Sequence, residues 1–295
     1  MRLKKKFNTS QLVFASLFCV LFAYMISVLL LLFWVVMTAF KSNDEFILSS
    51  YKLPLELYWK NFKTVFQEFK VSVTLSDGSE AKALMPAMIM NSLIYASGSA
   101  FCAAMTPCVT AYAISRFHFK FNKIIYGIVI VTMVLPVVGS LPSEIQMAKN
   151  VGLYDNLLGV CLMKANFLGM YFLIFYATFK SVSKAYIEAA MIDGASELTI
   201  FTRIALPLVR NTIFVVFLLK FIEFWNDYQT PMMFIPNHPT IAYGLLQFNA
   251  SASQTLAFIP IKMTACAVLM VPIIIIFICF RDKIMGSMSI GGLKG

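Results

Sequence analysis

The chain has 295 residues, of which 60% are hydrophobic and 13% are charged, and its mean hydropathy is +0.79. This composition excludes an ordinary soluble domain and indicates an integral membrane protein. The net charge of +10 is spread over several short polar segments, so it favours membrane topology over nucleic-acid binding. The six cysteines lie in or beside apolar runs without CxxC spacing, and we expect neither a disulfide nor a metal site.

Apolar runs recur along the chain and predict an all-α, polytopic membrane protein with six transmembrane helices. The predicted spans are residues 12–40, 85–113, 124–138, 157–179, 208–225 and 261–280. Basic residues near the N-terminus, and most of the 24 lysines and arginines, then fall on one side of the membrane. By the positive-inside rule, residues 1–11 and the tail 281–295 are expected in the cytoplasm of a bacterial cell, with the chain in its inner membrane.

A long polar segment, residues 41–84, follows the first span and has no excess of basic residues, so we place it outside the cell. Within it, Val71 to Leu75 followed by Ser76-Asp77-Gly78 predicts a strand that enters a tight turn. The segment is either a contact surface for an extracellular protein or a spacer. Residues 85–280 are then the predicted core domain.

Several polar or aromatic side chains fall inside predicted spans. Ionisable groups within a membrane are costly and are therefore candidates for a transport pathway. Lys220 and Glu223 are three residues apart and can also neutralise each other, while Trp225 can stack on a sugar or anchor the helix at the interface. The predicted substrate-pathway residues are Lys164, Asn166, Lys220, Glu223 and Trp225. In the third span, Pro136 predicts a break, which either lines a pathway or ends the span.

The most informative stretch, Glu188–Arg210, lies between the fourth and fifth spans. Gly194 follows Asp193 and can take the left-handed conformation that ends a helix, after which helical spacing resumes. Pro207 then stops or kinks the chain, or begins the next helix. The pattern predicts a short surface helix, a corner and a second helix. Such a segment is either an ordinary amphipathic loop or a shape suited to a groove on a partner protein.

Particular residues of this stretch resemble the "EAA" signature of permease subunits of ATP-binding-cassette (ABC) importers. The matching groups are Glu188-Ala189-Ala190, Asp193-Gly194-Ala195 and Leu206-Pro207. Two further motifs, Asn91–Leu93 and Ala111–Phe117, resemble those of sugar-importing permeases and occur in the expected order. Gly152–Asn156 also resembles the family, and the tail Ser287–Gly295 resembles the ending of its maltose-type branch. The family often has proline where Ser183 and Asn211 stand, which leaves the helix starts there open.

The resemblance implies a type I ABC importer permease that works with an ABC ATPase dimer, a second, non-identical permease and an extracellular solute-binding protein. It makes residues 181–207 a cytoplasmic coupling loop whose contact residues are Glu188, Ala189, Ala190, Asp193, Gly194 and Ala195. The chain has no G-x-x-x-x-G-K-[ST] motif, so we expect no catalytic residue or cofactor on it, with ATP and Mg bound by the partner ATPase.

The resemblance also implies an oligosaccharide substrate, and Lys164 and Lys220 leave an acidic oligosaccharide open. The residues leave two alternative functions open. One is an ABC permease for a solute other than a sugar. The other is a self-sufficient secondary carrier, although the inverted repeats or chains of intramembrane acids expected of that class are not evident in the sequence.

Overall fold

The structure is a computed structural model that describes residues 9–74, 78–117, 119–135, 139–250 and 257–288. The first part of the chain forms three helices, a two-stranded hairpin and a long helix. These are α1 (Thr9–Ala39), α2 (Asn43–Leu48), α3 (Lys60–Glu68), β1 (Lys70–Thr74), β2 (Glu80–Leu84) and α4 (Met85–Arg116).

The remaining described chain is helical except for short connections. Its elements are α5 (Asn122–Val134), α6 (Leu141–Val151), α7 (Leu157–Met163), α8 (Met170–Ser181), α9 (Lys184–Ile192), α10 (Glu197–Ile200), a π-helical turn (Phe201–Ala205), α11 (Leu206–Asn226), α12 (Gln229–Phe234), α13 (Ile241–Ala250) and α14 (Ile259–Met288).

Four helical stretches are long and apolar enough to cross a membrane. They are Leu12–Ala39, Met85–Arg116, Glu197–Asn226 and Ile259–Phe280, which correspond to the predicted first, second, fifth and sixth spans. The third predicted span overlaps α5, a 13-residue helix, while Pro136 lies outside the described residues. The structure is thus a mostly helical membrane protein, and the total of six spans stays a prediction.

The fourth predicted span is not one continuous helix. Residues 164–169 separate α7 from α8, so Lys164 and Asn166 lie in a break rather than within a helix. The Asn156 side chain accepts hydrogen bonds from the first turn of α7, and α8 begins after Gly169, whose φ is 118°. The apolar content of residues 157–179 is compatible with one span, and only the structure reveals the interruption.

The chain divides into two compact units. One contains the described residues through Glu68 together with Asn249–Met270, and the other contains Phe69–Phe248 and the remainder of α14. The boundaries predicted from the sequence for the extracellular segment, the core domain and the tail stay predictions.

In the first unit, buried hydrogen bonds order the chain just after α1. The Lys41 ammonium is fully buried and donates to the carbonyl of Ser49 at 2.7 Å, at the end of α2. The side-chain amide of Asn61 donates to the carbonyls of Ala39 and Lys41 at 3.0 and 2.7 Å. A cation at carbonyls that end a helix is electrostatically favourable, so this polar segment is fixed against the end of the membrane helix.

In the second unit, β1 and β2 pair antiparallel, with Lys70 opposite Leu84 and Thr74 opposite Glu80. This confirms the predicted strand, while Leu75, Ser76 and Asp77 of the predicted turn lie outside the described residues. The hairpin leads directly into α4.

Helix α4 is the centre of the second unit and packs against α7, α8 and α11. Its buried face contains small residues, among them Ala96, Ser99, Ala100, Ala104 and Ala111. Large rings of α8 fill the space opposite: Phe172, Phe175 and Phe179 belong to the same core cluster as Ala104 and Ala111. Small residues let helices approach closely where lipid supplies no hydrophobic drive to associate.

The closest approach of α4 to α7 gives a test of this packing. A Cβ at Gly98 would lie 2.8 Å from the Sγ of Cys161, so Gly98→Ala forces a clash and should destabilise the protein by about 1–3 kcal/mol. We expect a lower midpoint of thermal unfolding in detergent. Adding Cys161→Ala removes the clashing sulfur and should restore most of the loss. A Gly98→Ala variant as stable as the unmodified protein would contradict the packing of α4 on α7.

Candidate functional site

Residues 183–207, which we call the coupling corner, form a short helix and a tight reversal, as predicted. Helix α9 begins at Ser183, whose hydroxyl accepts a hydrogen bond from the backbone of Ala185. It ends with Gly194 at φ 77°. The N–H of Ala195 donates to the carbonyl of Ala190 at 2.9 Å, and that of Gly194 to Met191 at 3.1 Å. This pair of bonds is a Schellman motif, so the left-handed residue closes the helix end.

The second half of the corner is joined rigidly to the fifth span. Ser196 caps α10 by accepting a hydrogen bond from the backbone of Thr199, and a π-helical turn, Phe201–Ala205, leads directly into α11. Pro207 therefore neither stops the chain nor separates a loop from the span, because the helical stretch continues from Glu197 to Asn226. The π turn lies just before the proline, whose ring cannot be accommodated in the regular hydrogen-bond ladder of an α-helix.

Much of the coupling corner is exposed. Glu188, Ala189, Asp193 and Gly194 are on the surface, Ala190 is buried, and Ala195 is partly buried. Two large apolar side chains beside the reversal are also uncovered: Ile192 is 86% exposed and Leu198 is 72% exposed. Exposed apolar side chains grouped on a surface are typical of a protein–protein contact.

The other face of the corner is anchored on the end of α4. The ring of Tyr112 lies 4.8 Å from that of Phe201 in the π turn and 5.3 Å from that of Phe179 at the end of α8. The Arg116 guanidinium donates to the Sδ of Met191 at 2.9 Å and pairs with the Glu197 carboxylate at 3.4 Å. The segment Ala111–Phe117, which resembles a motif of the family, thus contacts α9, α10 and the π turn through Tyr112 and Arg116.

The second candidate site is a cavity of about 430 Å³ at the break between α7 and α8. We call it the polar cavity. Its lining includes Lys164, Asn166, Tyr171, Lys220, Glu223 and Phe224. Four of the five predicted pathway residues therefore come together. The fifth, Trp225, does not line the cavity: it is 1% exposed and stacks on Phe221 at 5.8 Å.

Both lysines of the polar cavity are held by neighbours. Lys220 bonds to the Glu223 carboxylate at 2.8 Å, as their spacing in the sequence predicts, and its Nζ lies 5.1 Å from the centre of the Tyr171 ring. Lys164 donates to the hydroxyl of Thr230 at 3.2 Å, and its Nζ lies 5.6 Å from the centre of the Phe224 ring. Each ammonium therefore has a hydrogen-bond partner and an aromatic face.

A hydrogen-bonded chain extends from Lys164 to α4. The backbone of Thr230 and the hydroxyl of Tyr95 donate to the two oxygens of Asp227, at 3.0 and 2.8 Å. Tyr95 is fully buried. The network joins the helix break to the C-terminal end of α11 and to the start of α12. Sequence reasoning did not identify Tyr95, Asp227, Thr230, Tyr171 or Phe224, and the one available signal was the acidic residue at the end of the fifth span.

Two other motifs of the sequence, Asn91–Leu93 and Gly152–Asn156, make contacts at the end of the second unit that lies away from the coupling corner. Asn91 donates to the carbonyl of Pro239 at 3.1 Å, and the hydroxyl of Ser92 accepts from the backbone of Ile241 at 2.7 Å. Asp155, with φ 53°, accepts from the backbone and side chain of Asn237, whose side-chain oxygen accepts from Thr74 of β1. These contacts tie the hairpin to the loops before α7 and α13.

Comparison with known proteins identifies the class. Residues 103–288 match the family described as "Binding-protein-dependent transport system inner membrane component". The chain is 23% identical to the diacetylchitobiose uptake system permease protein NgcG of Streptomyces coelicolor, over 93% of this chain and 87% of that protein. It is 29% identical to the trehalose/maltose transport system permease protein MalG of Thermococcus litoralis, over 89% of this chain and 90% of that protein.

A solved structure has a similar fold. A chain of a bacterial ABC transporter involved in the import of the acidic polysaccharide alginate superposes with a TM-score of 0.73 at 19% identity, and the match covers 94% of this chain and 98% of that one. Fold and coupling corner together define a membrane permease of the ABC importer class. The chain belongs to the family of binding-protein-dependent transport system inner membrane components, whose match spans more than half its length.

The buried network at the polar cavity gives a test. Tyr95→Phe removes the hydroxyl that donates to Asp227 and leaves a carboxylate oxygen unpaired, which should cost about 1–3 kcal/mol of stability. We expect a lower midpoint of thermal unfolding in detergent. Tyr24→Phe is the matched control, because that tyrosine is 68% exposed on α1 and should be neutral. Equal midpoints for the two variants would argue against the network.

Proposed function

We propose that this chain is the permease subunit of an ATP-driven importer that takes up oligosaccharides delivered by an extracellular solute-binding protein. Family membership supports dependence on a binding protein. The relatives named for uptake of diacetylchitobiose and of trehalose or maltose favour a carbohydrate. The observation that carries the proposal is the exposed coupling corner, whose reversal is closed by Gly194 and flanked by the uncovered side chains of Ile192 and Leu198.

The coupling corner is the proposed contact with a separate ABC ATPase dimer, which binds ATP and Mg. Small residues, Ala189 and Gly194, permit close approach of a partner, and Glu188 supplies a polar group on the same exposed helix. Among the described residues, the Glu188 carboxylate makes no hydrogen bond or ion pair, which suits a role in an intermolecular contact. Covering Ile192 and Leu198 would contribute the apolar part of the binding energy.

The same contacts suggest how movement of the ATPase reaches the membrane. The corner is covalently continuous with α8 on one side and, through the π turn, with α11 on the other. Helix α4 would move with α8 and α11, because it is connected to the corner by the ring contacts of Tyr112 with Phe201 and Phe179 and by the pairing of Arg116 with Glu197. Displacement of the corner would therefore tilt three packed helices together and produce alternating access with a second, non-identical permease.

The polar cavity is the proposed contribution of this subunit to the substrate pathway. It offers two ammonium groups, a carboxylate, an amide and two aromatic rings, groups that can bind the hydroxyls and the apolar face of a sugar. The pairing of Lys220 with Glu223, and the Asp227 carboxylate close to Lys164, reduce the net positive charge there. This arrangement favours a neutral oligosaccharide over an acidic one.

The orientation in the membrane follows from charge. The coupling corner and both termini lie in the cytoplasm, and the hairpin with its Asp155–Asn237 junction lies outside. That junction fixes β1 relative to the neighbouring loops, so it offers a rigid surface for the binding protein. The C-terminal phrase that resembles maltose-type permeases lies outside the described residues, apart from the end of α14.

Two substitutions in the coupling corner test the coupling role. Glu188→Arg and Gly194→Asp should leave the chain inserted in the membrane but abolish uptake and ATPase association, because one reverses the polar contact and the other blocks the left-handed reversal. A mild-detergent pull-down of tagged chain from native membranes, together with oligosaccharide uptake, measures both. A second permease and an ATPase should copurify with the unmodified chain.

Two variants serve as controls. Glu188→Gln keeps the size of the side chain and one acceptor oxygen, and it should retain the ATPase. Gly139→Asp imposes the same backbone cost at a glycine with φ 83° outside the corner and should leave uptake intact. Normal uptake by both Glu188→Arg and Gly194→Asp would exclude the coupling role. Recovery of the unmodified chain alone would favour a secondary carrier.

Matched substrates test the polar cavity. Lys164→Met and Lys220→Met should lower uptake of neutral and acidic oligosaccharides to a similar degree, since each lysine is already engaged by neighbouring residues. Uptake of radiolabelled oligosaccharides of equal length, with and without uronate residues, measures the ratio. A loss of roughly tenfold or more confined to the acidic substrate would instead indicate recognition of its charge by these lysines.

A further inference from the structure

A second polar cavity borders the coupling corner. The coupling mechanism uses three of its lining residues, Tyr112, Arg116 and Glu188, but assigns the cavity no ligand. It has a volume of about 400 Å³ between the ends of α4, α8, α9 and α11, and its lining includes Tyr112, Arg116, Lys180, Lys184, Glu188 and Leu208. A smaller cavity of about 240 Å³ shares Ser115 and Lys180 with it and adds Lys123 and Asn122. We call the two together the basic cleft. Four basic residues and one acidic residue line it.

Three side-chain atoms that line the basic cleft are buried without a hydrogen-bond partner: one acceptor, the Oδ1 of Asn122, and two donors. The donors are the hydroxyl of Tyr112 and the Nε of Arg116. Tyr112 is 6% exposed, so its hydroxyl does not reach bulk solvent freely. A buried donor left unpaired costs free energy, and native structures satisfy such groups with protein, water or a ligand. An oxyanion in the cleft would accept from both donors at once.

The charges at the mouth of the cleft favour the same ligand. Lys180 lies with its Nζ 5.2 Å from the centre of the Tyr176 ring, and Lys123 and Lys184 are exposed at either side. The one acidic lining residue, Glu188, accepts no hydrogen bond from these cations among the described residues. Three lysine ammonium groups, the Tyr112 hydroxyl and the Arg116 Nε line the cleft. Together they suit a ligand with several acceptor oxygens, such as a phosphate.

The position of the cleft identifies the source of that phosphate. It lies where α4 and α8 end and α11 begins, and apolar side chains, including Phe179, Val182 and the half-exposed Leu208, form part of its wall. Basic pockets between membrane helices on the cytoplasmic side bind phospholipid head groups, and that leaflet carries anionic lipid. A soluble phosphate would use the cations but leave the apolar wall uncovered.

We propose that the basic cleft binds the phosphate of an anionic phospholipid of the cytoplasmic leaflet, beside the coupling corner. The phosphate accepts from the hydroxyl of Tyr112 and the Nε of Arg116, and Lys180 and Lys184 neutralise its charge. The lipid would then brace the junction of α4, α8 and α9 from the membrane side. The assignment to the cytoplasmic leaflet rests on the proposed function, which places the coupling corner in the cytoplasm.

The test is native mass spectrometry of the purified full chain with its copurifying partners, titrated with phosphatidylglycerol or phosphatidylcholine. We expect preferential retention of phosphatidylglycerol, weakened roughly tenfold in Lys180→Gln/Lys184→Gln because two charge-assisted contacts are lost. Lys149→Gln is the matched control: this lysine also lies over a tyrosine ring, that of Tyr154 at 4.8 Å, but outside the cleft. It should retain phosphatidylglycerol fully.

The outcomes separate the sources of the anion. Equal retention of the two lipids, or no difference between the double variant and Lys149→Gln, would overturn the proposal. Binding of inorganic phosphate that displaces no phosphatidylglycerol would overturn the lipid assignment. The readout counts bound lipid and needs neither ATP nor sugar. A chain that keeps the lipid preference yet recruits no ATPase would therefore contradict the proposed function and not this site.

Discussion

The second unit, Phe69–Phe248 with the remainder of α14, depends on the packing of α4 against α8 and α11. In lipid, apolar side chains gain nothing by leaving their surroundings for one another, so helices associate through dense packing and buried polar contacts. The small residues of α4 provide that packing, and the rings of Phe172, Phe175 and Phe179 fill the space opposite. Both candidate sites lie at the margins of this contact. The coupling corner rests on its end through Tyr112, and the polar cavity opens beside it at Pro107.

The prediction that residues 157–179 cross the membrane has a physical consequence for the break between α7 and α8. Non-helical backbone at membrane depth must be enclosed by protein or line a water-filled cavity, because its polar groups cannot be left in hydrocarbon. Here the chain satisfies part of this requirement itself: the N–H of Ala165 donates to the carbonyl of Leu162 at 2.9 Å, and the N–H of Leu168 to the side-chain oxygen of Asn166 at 2.9 Å. The same residues border the polar cavity. The interrupted helix thus contributes residues to the polar cavity, and hydrogen bonds join one of them, Lys164, through Thr230 and Asp227 to Tyr95.

The coupling corner combines two features that a docking segment requires. The Schellman reversal at Gly194 and the capped α10 give it a fixed shape, while its outward side chains have no covering within the described chain. Its inner face is joined to α4 by an ion pair and ring contacts, and in the proposed coupling role these contacts would carry a force from the outside to the packed helices. The basic cleft borders the same junction.

The sequence by itself determined the membrane class, the long apolar helices, the strand Val71–Thr74 and the helix–corner–helix of the coupling segment, since these depend on composition, periodicity and a glycine at a left-handed position. It also predicted the pairing of Lys220 with Glu223, because three residues along a helix bring side chains onto one face. Only the tertiary structure decided that the fourth span is broken, that α11 continues through Pro207, and that Trp225 is buried away from the polar cavity. It alone revealed that Tyr95 and Asp227 support Lys164, and that Tyr112 and Arg116 hold the corner. These features depend on contacts between residues far apart in the chain, which periodicity along one helix does not encode.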